Sequence, residues 1–177
     1  TPTATFTPTP TPTPIDPNAP LGVFAESQDI GDVGAKGSAR YNPETQTYIV
    51  QGSGSDIWAT YDEFHFLYRE KTGDFTLEAT MEAENYGGDT WAKVLLMARN
   101  TLEPSAINFA SRFQVSTMEA SSQWRLDPGG NSNSTDGSLR VESNRHNGRL
   151  KLERSENTFI TYYWDVATNE WTEIDRQ

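Results

Sequence analysis

Cysteine is absent from this 177-residue chain, so no disulfide framework can stabilise the fold. Basic residues are scarce: 14 Lys and Arg stand against 25 Asp and Glu, and the formal net charge is -11. Nucleic acids and anionic membrane surfaces bind basic faces, so we expect neither as a partner. No apolar run reaches the ~18 residues of a membrane-spanning helix. No signal peptide is visible, and the missing initial Met indicates a processed or truncated N-terminus.

Aromatic side chains are plentiful by comparison. Five Trp, eight Phe and seven Tyr make up 11% of the chain and supply enough apolar area for a core. The acidic balance suits metal cations or neutral ligands such as glycans. We therefore expect one folded domain whose stability comes from packing or from bound ions.

The first 20 residues form a low-complexity segment in which Thr and Pro alternate. Proline fixes φ and pushes the preceding residue toward extended geometry, which predicts a stiff polyproline II rod rising ~3.1 Å per residue. Thr beside Pro is typical of O-glycosylated stalks, and a plain spacer is the alternative. The candidate O-glycosylation sites are Thr7, Thr9, Thr11 and Thr13. We divide the chain into a linker or tether, residues 1–20, and one domain, residues 21–177.

From Leu21 onward the sequence is strand-like. DFTLEATMEAE alternates strictly between apolar and polar residues, as a half-buried strand does, and WAKVLLMAR is apolar on both faces in its middle. About ten such segments are separated by turns rich in Gly, Asn, Asp and Pro, and no helix longer than a turn or two is indicated. This pattern predicts an all-β fold, a two-sheet antiparallel β-sandwich of jelly-roll type.

Three stretches resemble one family: FAESQDIGDVGAKGSARYN, then GSGSDIWATYDEFHFLYREKTGDFTLEATMEAENYGGDTWAKVLLMARNT, then GRLKLERSENTFITYYWDVATNEWTEI. They are similar to the concanavalin A-like lectin/glucanase superfamily, in particular to DUF1349-like modules of large secreted bacterial proteins. The resemblance runs from Val23 to Ile174. It implies an extracellular or cell-surface setting in bacteria and suggests sugar binding, but its motifs are structural and say little about activity.

The end of the chain departs from that family. Related modules continue after the tryptophan hairpin into one or two further strands, whereas this sequence stops at Gln177. We therefore expect either a fragment of a longer protein or a sandwich with an open edge. An open edge recruits another strand, and donor-strand complementation between subunits is one way to fill it.

Carboxylates on one strand face raise the possibility of a glycosidase. Glu78, Glu82 and Glu84 share a face, and a retaining enzyme needs two carboxyl groups ~5–5.5 Å apart. Glucanases of the resembling fold place an Asp between their catalytic acids, whereas Thr80 stands there in this chain. A solvated strand face is the better interpretation, and we assign no catalytic residue. With only His65 and His146 and no cysteine, a nucleophilic triad or a structural zinc site is not indicated.

Calcium is the candidate cofactor, since it takes oxygen ligands from loops. Four aspartates near Gly-containing turns are candidate ligands, although Asp and Gly are also plain turn formers. They are Asp29, Asp32, Asp56 and Asp62.

Aromatic side chains near loops are the candidate sugar platforms. Trp58 and Trp91 fall in the structural motifs of the resembling family and are expected in the core. The candidate carbohydrate contacts are Trp124, Arg125, Tyr86 and Arg99. Asn133 begins an Asn-Ser-Thr sequon, a candidate N-glycosylation site for which an ordinary polar loop is the alternative.

Three functions follow from these observations. The first is a non-catalytic structural or adhesive module, a subunit of a secreted or cell-surface filament, whose Thr-Pro tail contacts other copies or neighbouring domains. The second is a carbohydrate-binding module of a larger secreted glycoside hydrolase or adhesin. The third is a glucanase-like hydrolase.

Overall fold

The described part of the chain consists of antiparallel strands joined by turns. The computed structural model describes residues 20–84, 87–135, 139–140 and 147–177, and no helix occurs among them. This confirms the predicted all-β class. In chain order the strands are β1 Glu26–Ile30, β2 Ser38–Asn42, β3 Thr47–Gln51, β4 Ile57–Trp58, β5 Tyr61–Asp62, β6 Phe64–Tyr68, β7 Phe75–Glu82, β8 Lys93–Arg99, β9 Asn108–Gln114, β10 Glu119–Arg125, β11 Asn133–Ser134, β12 Leu139–Arg140, β13 Asn147–Ser155, β14 Thr158–Asp165 and β15 Glu170–Arg176.

Two sheets enclose the main core. The central sheet has the order β8–β9–β10, and both β11 and β12 pair with β10. The second sheet has the order β7–β13–β14–β15. The antiparallel sheets face each other, an arrangement that agrees with a β-sandwich. The buried members of the main core are Leu96, Phe109, Phe113, Val115, Ala120, Leu150, Leu152 and Tyr163.

Strand β7 follows the alternation expected from its sequence. Its four apolar side chains, from Phe75 to Met81, are half-buried and pack against the main core, while the four polar side chains between Thr76 and Glu82 are exposed. Burial of apolar surface stabilises the fold by roughly 25 cal/mol per Å², which fixes the face that the strand presents to the core.

The main core is closely packed where β13 passes Phe113. A Cβ atom at Gly148 would lie 2.9 Å from Cδ2 of the Phe113 ring, closer than two carbon atoms tolerate. Glycine at this position therefore lets the two sheets approach each other.

A third layer covers the opposite face of the central sheet. It contains the paired strands β1–β6 and β4–β5, and the β2–β3 hairpin adjoins β1 and β6. Ile57 packs there against Met97 and Ala110 of the central sheet, with Phe64 and Phe66 beside them. β8 is thus covered on both faces, as its continuous apolar run predicts.

The second sheet has two edge strands, β7 and β15. β15 is irregular, because a bulge interrupts its pairing with β14 between Thr161 and Tyr162, and it carries four charged residues. Bulges and charges are the usual protection of an exposed edge. β7 is longer and regular, and among the described residues it pairs only with β13.

Candidate functional site

The two faces of the central sheet differ in chemistry. Phe109 and Phe113 of β9 join the main core, while Ala110 between them packs against the third layer, so successive residues point to opposite sides. The face toward the third layer is mostly polar. By strand register it carries Lys93, Leu95, Met97, Arg99, Asn108, Ala110, Arg112, Gln114, Glu119, Ser121, Gln123 and Arg125.

One end of this face holds a buried charge network, named here the buried clamp: Asp62, Arg99, Asn108 and Arg125. The side chains of Asp62 and Arg125 are both fully buried. Nη2 and Nη1 of Arg125 donate to the two carboxylate oxygens of Asp62 at 2.6 and 3.0 Å. Arg99 approaches the same carboxylate at 3.5 Å, and burial lowers the pKa of Arg99.

Arg125 also fastens the surrounding loops. Its guanidinium donates to five main-chain carbonyl groups at 3.1–3.3 Å and to the Ser132 hydroxyl at 3.2 Å. The five carbonyls belong to Trp58, Ala59, Pro104, Ala106 and Gly130. Because this residue satisfies so many buried acceptors, the clamp fixes the β4–β5 hairpin and the loops on either side of the β9–β10 pair.

The hairpin held by the clamp contains a strained residue. Ala59 has a φ of 46°, in the left-handed region that alanine seldom adopts. Its carbonyl accepts from Arg125 and, at 2.7 Å, from the main-chain N–H of Ser132. These bonds hold the turn in place, and Trp58 and Tyr61 on either side of it are exposed to 37% and 51%.

The other end of the polar face is named here the polar rim: Asp56, Lys93, Arg112, Gln114, Glu119 and Ser121. Arg112, Gln114 and Ser121 are buried, whereas Asp56 and Glu119 are partly exposed. Lys93 forms an ion pair with Asp56, whose side chain is 38% exposed. Nε of Arg112 donates to the Ser121 hydroxyl at 2.7 Å. Gln114 donates to the carbonyl of Thr90 at 2.8 Å and so joins the rim to the loop before β8.

Charge within the polar rim is balanced. Burial lowers the pKa of Lys93, and the hydrogen bond and charge of Asp56 oppose that shift. Burial also lowers the pKa of Arg112, against the attraction of Asp56 and Glu119. Two cationic side chains therefore face two carboxylates, and the rim as a whole carries no net charge.

An exposed tryptophan lies beside the rim. Trp91 is 62% exposed in the loop that leads into β8, and its main-chain N–H donates to the Asp89 carboxylate at 2.7 Å. Both Trp91 and Trp58 were expected in the core, and the structure corrects that expectation. An apolar ring of this size on the surface is available to stack on a ligand.

The outer face of the second sheet carries a different aromatic cluster. The rings of Trp164 and Trp171 meet edge to face at 5.4 Å, and the Arg149 guanidinium lies 4.5 and 4.8 Å from their centroids. Arg149 also forms an ion pair with Glu78. Both tryptophan rings therefore already contact a cationic side chain of the protein, and that same side chain pairs with Glu78.

The four aspartates expected to bind calcium have other partners or stand apart. Asp62 belongs to the buried clamp, and Asp56 pairs with Lys93. Asp29 accepts from His65 Nδ1 at 2.7 Å and from the Gly37 N–H, while Asp32 is exposed. Within the described ranges no group of three or more His, Cys, Asp or Glu side chains is placed to hold a metal ion.

The expected sugar contacts do not form one surface. Trp124 packs against the main core, 6.4 Å from the Phe109 ring. Its neighbour Arg125 points the opposite way into the buried clamp, and the Arg99 side chain is only 2% exposed. Trp124 and Arg125 therefore cannot contact the same ligand, because adjacent strand residues project to opposite faces.

Some predicted site residues lie outside the described residues: Tyr86 and the four threonines of the Thr-Pro segment. Asn133 is described, is exposed on β11, and donates to the carbonyl of Asn131 at 3.4 Å. The polar rim was missed from the sequence, since its residues are brought together by strand pairing.

Comparisons with known proteins return no relative: no family model, no curated protein and no solved structure matches this chain. Among the described residues, no helix has the length and apolar character needed to cross a membrane.

Proposed function

We propose that this chain is a non-catalytic glycan-binding module of a secreted protein and that the polar rim contacts the glycan. The observation that carries the proposal is the charge-balanced set of planar polar side chains beside exposed Trp91. Arg112, Glu119 and Asp56 offer donors and acceptors to ligand hydroxyl groups.

Charge decides the class of ligand. A net cationic rim would favour a uronate or a sulfated sugar, and a net anionic rim would favour a cation. Lys93 and Arg112 against Asp56 and Glu119 leave neither preference, which supports a neutral, hydroxyl-rich ligand. The exposed face of Trp91 would stack on the C–H face of a sugar ring.

Three further features that are expected from the sequence are part of the same proposal. They are a jelly-roll sandwich like that of concanavalin A-like modules, an extracellular or cell-surface location in bacteria, and membership in a larger secreted protein. The assembly role expected for the Thr-Pro tail rests on residues outside the described part of the chain and stays a prediction.

A glycan array followed by titration calorimetry tests the proposal. We expect binding to neutral oligosaccharides, and little binding to uronate or sulfated probes, with and without a calcium chelator. Arg112→Met should weaken affinity for the best neutral oligosaccharide at least about tenfold, because it removes a charge-assisted donor from the rim.

Arg149→Met is the matched control, since Arg149 lies on the outer face of the second sheet. It should leave the affinity unchanged. Equal binding by the wild type and Arg112→Met, or binding to acidic probes alone, would refute the assignment of the rim.

A further inference from the structure

The β4–β5 hairpin presents two aromatic side chains to solvent. Trp58 and Tyr61 are opposite each other across its two-residue turn, so both project from the same face of the hairpin. The other opposed pair, Ile57 and Asp62, projects from the opposite face and is buried. One face of this hairpin is therefore held by the protein, and the other is accessible to a ligand.

Contacts of the buried face fix the position of the hairpin. A pair of such short strands is not stable alone. Here Ile57 packs against Met97 of the central sheet, and Asp62 pairs with Arg125 in the buried clamp. The main-chain N–H of Asp62 also donates to the carbonyl of Pro104 at 2.9 Å. The two exposed rings are thus carried on a support with fixed contacts, which reduces the conformational entropy lost when a ligand binds.

The Tyr61 ring is also held along one edge. Gly31, in the turn after β1, has a φ of 72°, and a Cβ atom at this position would lie 3.1 Å from Cε1 of Tyr61 and 2.5 Å from the carbonyl oxygen of Asp62. Glycine thus allows the main chain of this turn to lie against the ring. The contact limits rotation of the Tyr61 side chain, while the residue as a whole stays exposed.

Trp58 and Tyr61 lack the internal partners that other rings of this protein have. The Lys151 ammonium group lies 3.9 Å from the centroid of the Tyr162 ring, and Arg149 covers two tryptophan rings of the second sheet. Among the described residues no Lys or Arg lies over Trp58 or Tyr61, and neither the indole N–H nor the phenol hydroxyl of this pair has a hydrogen-bond partner. Both rings are therefore available to a ligand from outside the chain.

Exposed carboxylates surround the hairpin. Its neighbours are three loops that meet it through Gly31, through the carbonyl of Pro104 and through the N–H of Ser132, and each loop carries one exposed carboxylate. They are residues 31–37 with Asp32, residues 100–107 with Glu103 and residues 126–132 with Asp127. Lys36 is the one Lys or Arg in the sequence of these loops. Three negative charges therefore stand against one positive charge.

The cations beneath the hairpin do not reverse this balance. Arg99 and Arg125 hold two positive charges against the one negative charge of Asp62, but all three side chains are buried. Glu63, between β5 and β6, adds a partly exposed carboxylate. With a net charge of -11 for the whole chain, the potential outside the hairpin attracts cations.

We propose that the exposed face of the β4–β5 hairpin binds a small organic cation through a trimethylammonium group, which lies against the rings of Trp58 and Tyr61. Aromatic ring faces attract cations, and quaternary ammonium groups are typical ligands of such rings. The positive charge of this group is spread over methyl groups that donate no N–H hydrogen bond. The rings and the nearby carboxylates can therefore hold it without a direct ion pair.

Hydration of the cation favours this class of ligand over a lysine side chain. A primary ammonium group is strongly hydrated, and it leaves water only where close acceptors replace its hydration shell. Trp58 and Tyr61 offer apolar area rather than acceptors, and methyl groups are buried well against such area. The polar rim differs, because its charges are balanced and suit a neutral ligand.

Titration of the full chain, followed by NMR, tests the proposal. The probes are choline and the neutral alcohol of the same shape, in which a tert-butyl group replaces the trimethylammonium group. Both are added at constant ionic strength, and the amide signals of Thr60 and of the residue at position 61 report binding. We expect choline to bind at least about fivefold more tightly than the alcohol, because only choline carries the charge.

Substitutions locate the site. Trp58→Leu and Tyr61→Leu should each weaken choline binding at least about fivefold, and Trp58→Phe, which keeps a ring face, should bind choline more tightly than Trp58→Leu. Trp171→Leu is the matched control, since a cationic side chain of the protein already covers that ring, and it should leave choline binding unchanged. Asp32→Asn/Asp127→Asn should weaken binding about twofold to threefold, and more at low salt than at high salt. An unchanged amide spectrum away from each substitution shows that the fold is retained.

Four results would overturn the proposal. They are no binding of choline by the wild type, equal affinities for choline and the alcohol, tighter binding of argininamide than of choline, and a choline affinity that Trp58→Leu and Tyr61→Leu leave unchanged. The third of these would assign the hairpin to the guanidinium group of a partner protein. Binding of neutral oligosaccharides by the polar rim is measured separately, so either proposal can fail alone.

Discussion

The buried clamp and the polar rim lie on the same face of the same three strands, yet they treat charge in opposite ways. At one end Arg125 and Asp62 are withdrawn completely from water and satisfied by each other and by carbonyl groups. At the other end Asp56 remains 38% exposed beside Lys93. The comparison teaches that covering by the third layer, and not residue type, decides whether a carboxylate of this face is fully buried or partly exposed.

The largest expected effect comes from breaking the clamp. Arg125→Met should lower the free energy of unfolding by about 3–5 kcal/mol, because it leaves the Asp62 carboxylate buried without a cation. Urea denaturation measures this. Arg176→Met, which removes an exposed cation paired with Glu173, is the control and should change stability by less than about 1 kcal/mol. Similar losses in the two variants would mean that the clamp is not a structural network.

The same substitution in the rim should cost much less. Arg112→Met removes one hydrogen bond to Ser121, while the nearby carboxylates Asp56 and Glu119 are partly exposed, and we expect a loss of about 1 kcal/mol in urea denaturation. If Arg112→Met lowers the free energy of unfolding as much as Arg125→Met does, the rim and the clamp do not differ in their contribution to stability.

The Lys93 side chain in the rim also predicts a change in the free energy of unfolding at alkaline pH. Burial lowers the pKa of Lys93 below its ordinary value of 10.5, so the folded state holds this proton less tightly than the unfolded state. The resulting penalty is complete below the folded pKa and disappears as pH rises through the unfolded value. The free energy of unfolding of the wild type, measured relative to Lys93→Met, should therefore rise between about pH 9 and 11. A flat or falling difference would contradict this.

The smallest effect concerns the hairpin turn that the clamp holds. Ala59→Gly relieves the left-handed strain and should raise the free energy of unfolding by about 0.5–1 kcal/mol in urea denaturation. Ala25→Gly is the matched control at a position without a positive φ and should destabilise by a similar amount. If both substitutions destabilise equally, the strain at Ala59 is not significant.

The periodicity of the sequence predicts the strands and their burial, but it does not predict which residues form the polar rim. The alternation in β7 and the two-sided apolar run in β8 each lead directly to the observed burial, since both are local patterns. The rim requires register: Arg112 meets Ser121 only because β9 and β10 pair in a particular phase. No local pattern in a single sequence encodes that phase.

Neighbouring residues on one strand explain the main correction. The sequence places Trp124 and Arg125 next to each other and near a loop, which makes both candidate sugar contacts. On β10 they project to opposite faces, one into the main core and the other into the clamp. A period-2 reading of SQWRLD separates these two side chains, but the burial of Trp124 and the exposure of Trp91 depend on which layers cover each strand.

Arg125 also bears on how the loops of a domain without cysteine are held together. In many such domains a bound calcium ion gathers loop carbonyls and a carboxylate around one positive centre. The Arg125 guanidinium gathers five carbonyl groups and Asp62 around a cation that is covalently part of the chain. Unlike a bound calcium ion, this cation cannot dissociate when the calcium concentration is low, and a chelator does not remove it.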